Sequence, residues 1–298
     1  MTDPRPTSPN SAKPPFNHPR ADIILRSSDN VDFATFKSIL FLSSPVFEDM
    51  FSMPQPPRRA GTQVDKDDIP VVDLSEDSRT LELLLGFCHP GDRPIIETVV
   101  EARNLLVAAM KYDIGFIRVA SKERLLALEK SEPASLFAFA CTHKIRDLAI
   151  DAAKLALQIP EPDLLPKNPS ILPPEFFSIS AGNLMHLLFY HRACVAVTAG
   201  IITTDLDLAA QPLPRCTSCG AHPQYVCSFW RDFQSRLLPT LRRRPSGETV
   251  MTIGRYLSIS CSHCAGSDAI RNDANVCIKK MAVRVDDLIN KVPLHLDF

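Results

Sequence analysis

Residues 21–51 read ADIILRSSDNVDFATFKSILFLSSPVFEDMF, and their hydrophobic period changes partway along. Ile23 and Leu25 alternate with other residues, as on a strand with one buried face. Ser27, Ser28, Asp29 and Asn30 supply turn chemistry, and Val31 and Phe33 alternate again, which predicts a β-hairpin. From Phe36 the spacing becomes helical through Ile39 and Leu40. Ser43 and Ser44 stop that helix. Ser44 can cap a second one, with Pro45 preorganised at its first position and Val46, Phe47, Met50 and Phe51 along one face.

The order of hairpin and two helices, and the residues SSPVFEDMF, resemble the start of a BTB (POZ) domain. Asp22, the run from Phe33 to Lys37 and the Ser44-Pro45-Val46-Phe47 turn fit the family pattern over residues 20–130. One departure is Phe36, where many members carry His. The resemblance implies a binding module, not a catalyst, with a small sheet covered by helices and Val46, Phe47, Met50 and Phe51 as partner-binding residues. The proline-rich tail, the segment LLLGFCHPGDRP and the trailing cysteine-bearing region look like the BTB-containing proteins numerous in mushroom-forming (basidiomycete) fungi.

Two or three units are expected from 298 residues, and 45% hydrophobic residues can bury a sizeable core. The net charge of −1 gives no global attraction to nucleic acid or an anionic membrane. The longest apolar stretch, 184–202, is interrupted by His186, His191 and Arg192, which argues against a membrane span. Residues 1–20 hold no apolar run, so no signal peptide is expected and the nine cysteines should stay reduced in cytoplasm or nucleus.

Prolines at 4, 6, 9, 14, 15 and 19 predict a mobile tail over residues 1–19. Beyond the second helix the pattern predicts a polar loop over 54–68, a strand over 69–74 and helices ending at Cys88, Tyr112 and Leu128. Two helices over 131–160 form an all-α extension, in an arrangement that resembles the BACK-type segment of many family members. Prolines 160, 162, 166, 169, 173 and 174 mark a linker over 161–179 without regular structure. The region 180–298 is helical, with helices over 180–199 (closed by Gly200), 228–238 and 273–292. The expected fold class is therefore α+β: a BTB-like sheet with helices, then an all-α extension and a helical region carrying a structural zinc site.

That site is read from two Cys-x-x-Cys pairs, Cys216/Cys219 and Cys261/Cys264. Two such turns complete a tetrahedral four-thiolate shell with Zn–S of about 2.3 Å. The long spacer between the pairs holds its own helix, so zinc would clamp segments distant in sequence. Unligated or oxidised pairs are the alternative, and His222, Cys227, His263 and Cys277 are substitute ligands. A closed shell leaves no position for substrate water, so the metal would be structural.

Cys88-His89, Cys141-x-His143 and His191-x-x-Cys194 could each pair a nucleophile with a base, but Cys88 and Cys141 fall on apolar helix stripes, where cysteine packs as a small hydrophobe. The chain is read as non-enzymatic. Arg242–Arg244, with Arg231, Arg236 and Arg255, reads most simply as a solvated face. The family resemblance implies an adaptor that docks on a partner such as a cullin of the ubiquitin ligase type. The alternative is a transcription- or chromatin-associated zinc protein touching nucleic acid through those arginines. In the family a segment before the first strand often completes a dimer; the prolines there disfavour an added strand, so a monomer or weak homodimer is expected.

Overall fold

The computed structural model describes residues 9–53, 69–168, 172–204, 228–256 and 266–298. The chain divides into two compact units, Met1–Glu129 and Lys130–Phe298.

The first unit is built on a small sheet. β2 (Ile23–Arg26) and β3 (Val31–Thr35) form the hairpin, antiparallel with Leu25 opposite Phe33. Ile23, Leu25 and Phe33 are buried. The turn closes because Asn30 takes a left-handed conformation, φ 64°, and the Ser27 hydroxyl accepts the Val31 N–H at 2.9 Å. Opposite Asp32, Arg26 makes a bidentate pair on the other face, with bonds of 2.6 and 3.0 Å. β4 (Val71–Asp73) lies parallel to β2 on the far edge.

Residues 9–19 correct the expectation of a tail. Asn10–Ser11 form a short strand, β1, parallel to β3, giving the sheet order β1-β3-β2-β4. The prolines flank these two residues rather than interrupt them. Phe16 is buried, with its ring centroid 5.8 Å from Phe33 and 5.1 Å from His89. Aromatic burial outweighs the compositional bias toward disorder. Residues 1–8, and the loop expected over 54–68, lie outside the described residues.

Among the described residues, five helices accompany this sheet. α1 (Lys37–Ser43) and α2 (Pro45–Ser52) follow the hairpin. α3 (Ser78–Cys88) starts where the Asp77 carboxylate accepts the Thr80 N–H, and buries Leu81, Leu83, Leu84 and Leu85. α4 (Val99–Lys111) opens with a capping box of Thr98 and Glu101, and α5 (Gly115–Leu128) packs along it. Arg103 on α4 pairs with Glu129 just beyond α5.

The second unit is helical. α6 (Pro133–Thr142) and α7 (Arg146–Ala156) form a hairpin through Lys144, φ 55°. Within the expected linker, Glu161–Leu164 and Glu175–Ser178 form single turns, α8 and α9. α8 is tied to the long α10 (Ala181–Thr204) by Arg192, whose Nε bonds Glu161 at 2.9 Å, and by His191 Nε2, which donates to the Ile159 carbonyl at 3.0 Å. α10 runs through Gly200 instead of ending there. One interior glycine costs only about 1 kcal/mol and does not by itself stop a helix. α11 (Ser228–Leu241) likewise passes Pro239, whose exposed ring leaves Leu237 and Leu241 buried one turn apart.

α12 (Gly247–Arg255) was not expected from the sequence, and α13 (Asp268–Ile289) starts five residues before the expected 273. These two helices cross closely because of two glycines. A Cβ on Gly247 would stand 2.7 Å from the Ala282 carbonyl, and one on Gly254 would stand 2.8 Å from Ile278 Cγ2. Asp286 of α13 then accepts the Gly247 N–H at 2.8 Å, placing a carboxylate at the N-terminus of α12. Gly247→Ala is therefore expected to destabilise the second unit by about 1–3 kcal/mol, despite alanine's better helix propensity. Gly200→Ala, where an added Cβ meets nothing within 4 Å, should be neutral or stabilising by about 0.5–1 kcal/mol. Urea unfolding of both variants measures this; equal effects would contradict the close crossing.

Candidate functional site

Ser44 carries two bonds that fix the α1–α2 corner. Its hydroxyl oxygen accepts the Phe47 N–H at 3.1 Å, capping α2, and its proton goes to the Tyr112 carbonyl at the end of α4. Pro45 follows at the first helical position, where its missing N–H costs nothing. The corner is thus bonded to the helix layer beneath it.

Phe47 points inward from this corner and is fully buried. Its ring stacks on Tyr112, with centroids 4.6 Å apart and planes 9° apart, and on Phe51 at 5.9 Å. Tyr112 donates its phenol proton to Glu76 at 2.6 Å, and Lys111 bonds the other oxygen of the same carboxylate at 2.8 Å. Burial pushes the Glu76 carboxyl up, but the bonds from Lys111 and Tyr112 outweigh it and hold the group below its ordinary range. Burial, reinforced by the Glu76 bond, drives the Tyr112 phenol far up, so it stays a donor. Above the stack, Lys37 Nζ lies 5.8 Å from the Phe51 ring centroid.

What this column supports is an apolar shelf. Leu42 is 84% exposed, Phe41 45% and Val46 38%, with Met53 also exposed at the end of α2. Glu48 and Asp49 are exposed on the same helix. Of the four residues the sequence singled out, Val46 faces solvent and Met50 and Phe51 are half-buried. Phe47 sits in the core, because its ring is the one the Tyr112 stack takes up. Phe41 and Leu42 were missed. The signal was present: the unbroken run Ile39-Leu40-Phe41-Leu42 is wider than one helix stripe can bury.

Cys216, Cys219, Cys261 and Cys264 lie outside the described residues, as do His222, Cys227 and His263. Among the described residues, no group of three or more His, Cys, Asp or Glu is arranged to hold a metal ion. Cys277, the remaining substitute ligand, is buried on α13, and its thiol is raised mainly by burial. The other described thiols are raised as well. Burial pushes Cys141 up to about 12 and Cys194 to about 11, far from the thiolate form a nucleophile needs. The neighbouring imidazoles are engaged elsewhere: His89 Nε2 lies 3.2 Å from the Thr35 hydroxyl, His143 lies tilted against Phe139 with centroids 4.6 Å apart, and His191 is committed to Ile159.

Arg242, Arg243 and Arg244 are exposed, the last two near Asp163. That carboxylate is held low first by its bond to Lys167 and further by Arg243 and Arg244. Arg236 pairs with Asp232, and Arg255 approaches Glu248 at 3.7 Å. The basic cluster is thus interleaved with acids. No helix among the described residues is long and apolar enough to cross a membrane.

Phe47→Ala should cost the first unit about 3–5 kcal/mol, whereas Leu42→Ser and Val46→Ser should stay within about 0.5 kcal/mol. Denaturant midpoints of the three variants test this division. A Phe47→Ala chain as stable as the parent would contradict the buried stack.

No curated protein matches the chain at a significant level. The family model described as BTB/POZ domain matches residues 15–127. That span begins beside Phe16, contains the hairpin, the Ser44 corner and the aromatic column, and ends within the last turn of α5. The first unit of this chain is a BTB/POZ domain.

Proposed function

We propose that the chain is an intracellular, non-enzymatic adaptor whose BTB/POZ unit grips a protein partner through Phe41, Leu42, Val46 and Met50, the partner being a cullin of the ubiquitin ligase type. One observation carries this reading: a large apolar side chain, Leu42, stands 84% exposed on a corner bonded rigidly from below. Exposed apolar residues on a fixed base are what a binding surface offers, since little ordering cost remains at association. The acids Glu48 and Asp49 beside the shelf favour a partner with basic residues around an apolar anchor. Family membership supports an interaction role in general terms.

In native extract, tagged full-length chain should retain a cullin, and Leu42→Asp with Val46→Asp should abolish retention without shifting the melting temperature. Cullin retention unchanged by the double variant would defeat the proposed surface. β1 is paired with β3 of its own chain, which supports a monomer or weak dimer.

We further propose that Cys216, Cys219, Cys261 and Cys264 hold one structural zinc. The donor set supports this: two Cys-x-x-Cys pairs supply the four thiolates that a closed tetrahedral zinc shell takes. Metal analysis should find about one zinc per chain, lost on Cys216→Ser with Cys219→Ser. Folded protein that is free of metal would refute it.

A further inference from the structure

The last described residues of the second unit form no helix or strand, yet they are not loose. From Lys291 to Phe298 their exposure alternates: Val292, Leu294, Leu296 and Phe298 are half-buried, and Lys291, Pro293, His295 and Asp297 face outward. Such a period of two is the mark of an extended chain lying on a surface.

The surface beneath is made by α6, the start of α7 and the first turns of α10. The Asp297 N–H donates to Asn183 Oδ1 at 3.1 Å, and Arg146 Nη1 donates to a backbone oxygen of Phe298 at 3.4 Å. Both bonds go to backbone atoms of the strap, so neither depends on its side chains. The Asp297 carboxylate rests on the first turn of α10, where a Cβ on Gly182 would meet Oδ2 at 2.9 Å, and its Oδ1 is 3.8 Å from His186 Nδ1. That position faces the positive end of a long helix. The same carboxylate reaches Cys141 of α6, whose thiol its charge helps to raise. An acid between two apolar residues thus lies beside a helix N-terminus while its side chain stays 55% exposed.

We propose that this surface is a binding site for an extended peptide with apolar residues at alternate positions and an acid before the last of them, and that residues 292–298 occupy it as a displaceable strap. Displacement is feasible because the strap has no ladder of its own and its side chains are only half-buried, which puts it at the low end of local stability. In the adaptor reading the occupant would be a client segment of this pattern. The site itself does not depend on which partner the BTB/POZ unit takes, and the test below leaves that unit out of its readout.

The probe is a fluorescein-labelled peptide with the sequence of residues 291–298, titrated against full-length chain and against a chain lacking 293–298. The shortened chain should raise its anisotropy saturably. The intact chain should bind about tenfold or more weakly, since the tethered strap competes at roughly millimolar effective concentration. In the shortened chain, Asn183→Ala and Arg146→Ala should each weaken binding, and a peptide of the same composition with its apolar residues made contiguous should not bind. In the intact chain, the Asp297 amide should exchange its hydrogen far faster than the core amides of α13. The proposal is overturned by a shortened chain that loses its helical signal, by one that stays folded and ignores the peptide, or by equal binding to both chains. Exchange at Asp297 only through global unfolding would overturn it too.

Discussion

The stack of Phe47 on Tyr112 is the contact on which the first unit's surface depends. Helix α2 has only eight residues, too few to persist alone, so its orientation comes from tertiary contacts. The stack fixes one side of the helix, and the Ser44 hydroxyl fixes its start to the same residue, Tyr112, through the backbone carbonyl. Tyr112 is in turn held by Glu76 and Lys111. This chain of contacts lets Phe41, Leu42 and Val46 stand in water without the corner collapsing onto the core. The energetic division is plain: inward residues carry stability, and outward ones are free to carry recognition.

A different device organises the second unit. Besides the buried rings of Phe137, Trp230 and Phe233, its helices rely on small residues and long-range polar ties. Gly247 and Gly254 let α12 approach α13 closely, and Asp286 caps α12 from the neighbouring helix. Alanines 149, 152, 153 and 156 on α7 are buried, so that helix too can lie close to its partners. His191 and Arg192 tie the single turn α8 to α10. A unit built this way can leave a shallow surface beside α6, α7 and α10 for an extended segment to cover.

Much of the first unit was legible because local and tertiary signals agree there. The alternation at Ile23, Leu25 and Phe33, the turn residues and the Ser44-Pro45 cap all specify structure within a few residues, and each lies where the pattern put it. The misses have physical causes. β1 depends on pairing with the distant Val31 and Asp32, and Phe16 beside it on Phe33 and His89, which no local pattern reveals. α12 went unforeseen because its two glycines serve a close crossing with a helix distant in sequence; Ser246 as cap and Glu248 in the first turn were the available clues. Phe47 was assigned to the surface because helical spacing identifies an apolar face without saying whether the chain or a partner covers it. Leu42 was passed over for the converse reason.

The claim that the Phe47–Tyr112 stack holds the corner is tested most directly by a double-mutant cycle. Phe47→Leu, Tyr112→Leu and the double variant would be compared by denaturant unfolding of the full chain. Direct stacking predicts a coupling free energy of about 0.5–1.5 kcal/mol between the two positions. Losses that simply add would contradict it.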